Sequence, residues 1–126
     1  MENVMFEFYI GDTYTRDFTI TGYSDSIDDI YLTIKKEDDD SRFLLQYTLG
    51  HGITLTDVVY DTDGTTILSR TYNILISAID TEILKADVEY PMDIEIVTQK
   101  DTDTLKKTII KGYVVLKSAT TRAWDE

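Results

Sequence analysis

The sequence predicts an all-β fold, a mainly antiparallel sandwich or barrel of about seven or eight strands. Three observations carry that expectation. Val, Ile and Thr make up 41 of the 126 residues and Tyr adds 9, side chains that suit a pleated, half-buried surface. Apolar and polar residues alternate with a period of two in one run after another. The runs recur every ten residues or so, between clusters of Gly, Asp, Ser and Thr that read as turns.

The elements follow in order. Met5–Ile10 is a short strand, broken at Gly11–Asp12. Thr13–Thr21 is the next, with Phe18 and Ile20 on one face, and Gly22–Ser26 is turn-like. In Asp28–Lys36, Ile30, Leu32 and Ile34 face one way, and Tyr31, Thr33 and Lys35 the other. The polar residues Glu37–Ser41 separate it from Arg42–Leu49, so the two runs read as a hairpin. Gly50–Gly52 ends that strand and Ile53–Tyr60 follows. "DTDGTT" (Asp61–Thr66) is a tight turn, and Ile67–Ala78 holds one or two strands.

Ile79–Tyr90 is the least strand-like stretch, and Asp80 is placed to cap a single helical turn containing Ile83 and Leu84. In Tyr90–Gln99, Met92, Ile94 and Ile96 share a face opposite Asp93 and Glu95; Pro91 sits near the start, where its missing N–H is tolerated. After a turn at Lys100–Thr104, "TIIKGYVVLKSATTR" (Thr108–Arg122) pairs back. Its Ile110, Gly112, Val114 and Leu116 form the core face, while Lys111, Tyr113, Val115 and Lys117 form the other. Gly112 admits a close neighbour or a bulge. No repeat, linker or change of composition divides residues 1–126, so one domain is expected.

Composition narrows the chemistry. With no Cys there is no disulfide framework or thiolate metal site, and a single His leaves little for zinc or a His-activated nucleophile. The formal net charge of −12 argues against phosphate backbones and anionic membranes as partners, so no nucleic acid and no membrane are expected. No apolar run approaches the roughly 20 residues that span a bilayer. "MENVMFEF" lacks the pattern of a secretion signal, which points to synthesis in the cytoplasm.

Motifs with chemical meaning are weak. "DTDG" (Asp61–Gly64) resembles part of a calcium loop, but an EF-hand would then need carboxylates where Val59 and Arg70 stand. A hairpin turn explains it better. "EDDD" (Glu37–Asp40) reads as a solvated hairpin tip, as do Asp101 and Asp103. His51 lies between two glycines with no partner fixed by sequence, and there is no nucleophile elbow, zinc helix or phosphate loop. No enzyme, cofactor or metal is therefore expected.

What stands out is charge placement: six of the twelve basic residues fall between positions 100 and 122. Lysines on that strand would offset Asp93 and Glu95 across the sheet. They would also make Lys111, Tyr113, Lys117 and Arg122 a partner-contact surface.

In the same stretches the chain resembles the small β-sandwich domains at the N-terminus of phage baseplate upper proteins and related short tail proteins. The resemblance rests on an early polar strand ("GDTYTRDFTI"), a strand of the type "DDIYLTIKK", and "DTEIL" at Asp80–Leu84. It continues through "YPMDIEI" at Tyr90–Ile96 to a Gly-started closing strand with a Thr-Arg ending, "GYVVLKSATTR". The glycine expected shortly before Tyr90 is absent, and residues 50–72 have no counterpart. The resemblance implies an immunoglobulin-like sandwich that serves as a structural virion part, in the tail or baseplate. It would contact other virion proteins, form a symmetric homo-oligomer, and carry no catalytic residue. Alternatives are a capsid decoration or neck protein, a domain stabilised by cations at Asp38–Asp40, and a carbohydrate-binding module. The last would present Tyr31, Tyr47 and Tyr113 as exposed aromatics.

Overall fold

Alternation decides the architecture. Ile30, Leu32 and Ile34 of one strand, and Met92, Ile94 and Ile96 of another, are all at most 2% exposed. The polar residues between them face outward. A computed structural model describes residues 2–21, 27–37, 42–100 and 103–118. It contains eight strands: β1 (Glu2–Tyr9), β2 (Tyr14–Thr21), β3 (Asp29–Ile34), β4 (Leu45–Leu49), β5 (Gly52–Tyr60), β6 (Ile67–Ile76), β7 (Tyr90–Lys100) and β8 (Asp103–Lys117). One 3₁₀ turn, Asp80–Ile83, lies between β6 and β7.

All eight strands belong to one mixed sheet, in the order β1-β8-β7-β3-β4-β5-β6-β2, nearly closed into a barrel. The all-β, mainly antiparallel expectation holds: β3–β4, β3–β7, β7–β8, β5–β6 and β2–β6 are antiparallel. Two pairings are parallel, β1 with β8 and β4 with β5. The sequence did not signal either, because alternation fixes faces and not partners. The β4–β5 link has only two residue pairs, Thr48↔Gly52 and Leu49↔Ile53, made across the tight Gly50–Gly52 loop.

The two edge strands, β1 and β2, meet through side chains. Tyr14 stacks on Phe8 at 4.7 Å between ring centres and lies 5.3 Å from Phe6. The Arg16 guanidinium sits 4.9 Å from the Phe6 ring centre, a cation–π contact across the seam. Phe6 and Phe8 are buried in the same core cluster as Ile94, Ile96, Val114 and Leu116.

The closing strand matches its predicted core face, with Gly112, Val114 and Leu116 buried and Ile110 half-buried. Gly112 lies against β1: a Cβ there would come within 2.7 Å of the Val4 carbonyl carbon and 2.8 Å of its nitrogen. Further back the ladder slips. Ile94 pairs with Ile110 but Glu95 with Thr108, so Ile109 is the extra residue of a β-bulge.

Ile67–Ile76 is a single strand, within the one or two expected there. Three local expectations need correction. Val115 shares the parity of Lys111 but is only 5% exposed, at the point where Ala86 bridges Leu116 and Asp87 N–H donates to the Leu116 carbonyl. Tyr47 is a core residue, 7% exposed, because it follows the inward phase of β4. Asp80 is not the cap of the 3₁₀ turn, whose N-cap position is Ile79. Instead its carboxylate accepts a 3.0 Å hydrogen bond from the Tyr47 hydroxyl, which lets a tyrosine sit in the core with its polar end satisfied. Burial, then that bond, pushes the Tyr47 phenol well above its ordinary range.

The "DTDGTT" segment is a hairpin turn, as expected. Thr65 and Thr66 N–H groups donate to Asp63 Oδ1 at 2.8 Å each, and the Thr66 hydroxyl donates to Oδ2 at 2.5 Å. Gly64 supplies a φ of +75°. The Asp63 carboxyl is held down to about 2, first by the Thr66 hydroxyl and then by the two N–H groups. The predicted turn at Gly22–Ser26, the run Asp38–Asp40 and Asp101 lie outside the described residues.

Candidate functional site

The outer surface of β3, β4, β7 and β8 is where polar side chains converge. Tyr31 and Thr33 project from β3, with Lys35 just beyond its end, because they alternate with the buried Ile30, Leu32 and Ile34. From β7 come Asp93 and Glu95, the outward partners of Ile94. Gln46 of β4 and Phe43, two residues before that strand, flank Tyr31 and Thr33 from the other side. Lys106 reaches the same face from β8. Together these residues line an open groove of about 380 Å³.

The bulge explains the lysine. Simple alternation from Lys111 would turn Lys107 outward beside it and Lys106 inward. The extra residue Ile109 reverses that phase, and Lys106 pairs with Val97 while Lys107 pairs with Ile96. No signal in the sequence marks this bulge, so the groove was not legible there.

Within the groove the polar groups are already oriented. Gln46 Nε2 donates to Thr33 Oγ1 at 3.2 Å, which leaves the Gln46 carbonyl oxygen as an acceptor. The Asp29 carboxylate beside Tyr31, by its charge and by a hydrogen bond, raises that phenol above its ordinary value; burial and Glu95 add to the effect. Asp29 is itself fixed, accepting N–H bonds from Ile30 at 2.8 Å and Leu49 at 3.3 Å. Two carboxylates and two ammonium groups line the space, and the Asp29 carboxylate beside Tyr31 adds a further negative charge.

The sequence-predicted contact residues sit at one end of this wall. Lys111, Tyr113 and Lys117 are exposed on β8, and Lys111 stands directly opposite Asp93 as expected. Tyr113 lies between Met5 of β1 and Pro91 of β7, and Met5 is itself 38% exposed. Because Val115 is covered, the row is interrupted before Lys117. Arg122 lies outside the described residues. Of the three tyrosines, Tyr113 is exposed, Tyr31 is half-buried on the outer wall, and Tyr47 is in the core. His51 is exposed in the Gly50–Gly52 loop, tied by its backbone to Thr48.

A second surface feature is apolar. The far half of the β5–β6 hairpin leaves the core and exposes Leu55, Val59, Tyr60 and Leu68. Register shifts at Leu55/Asp57 and Val59/Tyr60 twist it there. No protein-family model matches the chain, and no curated protein matches it.

Proposed function

We propose that this chain is a non-catalytic structural module of a phage virion, an attachment part of the tail or baseplate that works through protein–protein contacts. The observation that supports this best is the exposed group Lys111, Tyr113 and Lys117, with Met5, on a rigid wall of a chain whose net charge is −12. A local basic and aromatic patch on an acidic body selects an acidic surface, and a second copy of the same chain supplies one. A symmetric homo-oligomer with further virion proteins bound to it is the corresponding assembly. The phage assignment rests on the resemblance in Asp28–Lys36, Asp80–Leu84, Tyr90–Ile96 and the closing strand. With it goes assembly in the virion after synthesis in the host cytoplasm.

The resemblance also favours a finer description of the barrel. Read as an immunoglobulin-like sandwich, β1-β8-β7-β3-β4 and β5-β6-β2 are its two sheets, joined by the two residue pairs of β4–β5. An experimental structure with a long β4–β5 ladder would remove that description.

The contact reading is tested by reversing Lys111 and Lys117 to Glu and measuring self-association by sedimentation at low and moderate salt. Folding, read by circular dichroism, should be unchanged, and association should weaken, most clearly at low salt. If the double variant associates as the parent does at low salt, this surface is not the contact. Flanking tail genes would support the virion class, and an operon of polysaccharide enzymes would remove it.

A further inference from the structure

We propose that the groove over β3, β4, β7 and β8 is a binding site for a neutral oligosaccharide. The inference goes beyond the docking reading and does not depend on it, since the groove uses none of Lys111, Tyr113 or Lys117.

The argument is chemical. A sugar presents hydroxyl groups that each donate and accept, and a face of C–H bonds that lies flat on an aromatic ring. Here acceptors and donors alternate around one space. Asp93, Glu95 and the Gln46 carbonyl oxygen accept, and the ammonium groups of Lys35 and Lys106 donate. Planar carboxylates and amides bridge neighbouring hydroxyls in pairs. The aromatic surface comes from Tyr31 and from Phe43, which is 53% exposed. An exposed ring beside fixed polar groups gives orientation together with apolar contact.

Charge then selects the ligand class. With Asp29 beside Tyr31, three carboxylates and two ammonium groups surround the groove, a balance that does not favour a phosphate or a polyanion, and among the described residues no group of three His or carboxylate side chains is placed to hold a metal ion. The volume, about 380 Å³, falls at the small end of ligand sites. Its open form suits a segment of a longer glycan that enters and leaves along the wall. The Gln46 amide is pre-oriented by its bond to Thr33, which reduces the ordering that binding must supply.

The test uses the whole chain and a glycan array, followed by NMR titration with the neutral oligosaccharides that score, using cello-, malto-, xylo- and chito-hexaose as fixed probes. At least one neutral glycan should bind and shift the Gln46 side-chain amide and the Tyr31 and Phe43 ring signals. Phe43→Ala and Gln46→Ala alter exposed residues, so both should fold as the parent does. Each should weaken binding at least tenfold, while Tyr113→Ala, on the same wall outside the groove, should leave it unchanged. The proposal is overturned if no neutral glycan binds, if both groove variants bind as tightly as the parent, or if only polyanions such as heparin fragments or polyphosphate bind. Lys117→Glu alone, which leaves the Lys111 opposite Asp93 in place, should keep its glycan affinity whether or not its self-association changes, which separates this proposal from the docking reading.

Discussion

Gly112→Ala is a small change with a large expected effect. A methyl group at this position meets the backbone of Val4, at 2.7 Å from its carbonyl carbon and 2.8 Å from its nitrogen, against 3.4–4 Å for ordinary contact. Backbone cannot rotate away as a side-chain tip can, so β1 must shift bodily by more than half an ångström. Forcing atoms into a packed site in this way costs about 1–3 kcal/mol. Because every contact is with backbone, the upper end of that range applies, and the roughly 0.4–1 kcal/mol that alanine returns by restricting the unfolded chain leaves a net loss of about 2 kcal/mol. If β1 instead leaves the barrel, Phe6 and Phe8 lose their burial at about 1.5–3 kcal/mol each. Urea unfolding separates the two outcomes. A shifted but attached β1 lowers the midpoint at constant slope, with a fall in Tm of roughly 3–15 °C. A detached β1 also lowers the slope, because less surface remains to be exposed. A variant within about 0.5 kcal/mol of the parent would refute the close approach of β1 to β8.

Further outcomes follow from the same structure. Ile96→Ala removes a side chain 1% exposed and should cost about 2–5 kcal/mol in urea unfolding. Tyr47→Phe deletes the bond to Asp80 and should lower stability by about 0.5–1.5 kcal/mol, whereas Tyr31→Phe, on the outer wall, should change it less. Asp63 should titrate by NMR with a midpoint near 2 rather than its ordinary 3.8, moving the Thr65 and Thr66 amide signals with it. Because its folded pKa is depressed, its support of the turn is complete above 3.8 and is lost as pH falls through about 2. In Asp63→Asn that acid transition should disappear.

The sequence made the strands and their faces legible where alternation is strict. Asp28–Lys36 and Tyr90–Gln99 each place three branched or long apolar residues on one side, and all six are buried. The β3–β4, β5–β6 and β7–β8 antiparallel pairs followed from short polar connections. The parallel neighbours did not, because β1 and β8 are far apart in the chain and no local feature names a distant partner. Tyr47 was misplaced because the run "RFLLQYTL" carries apolar residues in both phases. Its hydroxyl needed Asp80, 33 residues away, to make burial possible. The groove was invisible for a related reason. Its members come from four strands, and Lys106 joins them only through the bulge at Ile109.

The parallel ladder between β1 and β8 has a consequence for how the chain acquires its shape. Every β1 pairing, from Glu2↔Ile110 to Tyr9↔Lys117, spans more than a hundred residues. The β3–β4, β5–β6 and β7–β8 hairpins can form from local chain, but β1 has no ladder partner until β8 has left the ribosome. Such distant closure is slow, because the entropy of a long loop is lost before any contact compensates. Until then Phe6 and Phe8 have no core to enter, and the open flank of β8 is a free template for a strand. Two nascent copies that meet at this stage could exchange their β1 strands, each completing the other's barrel. Refolding yield of monomer should therefore fall as protein concentration rises, with β1-exchanged dimers taking its place.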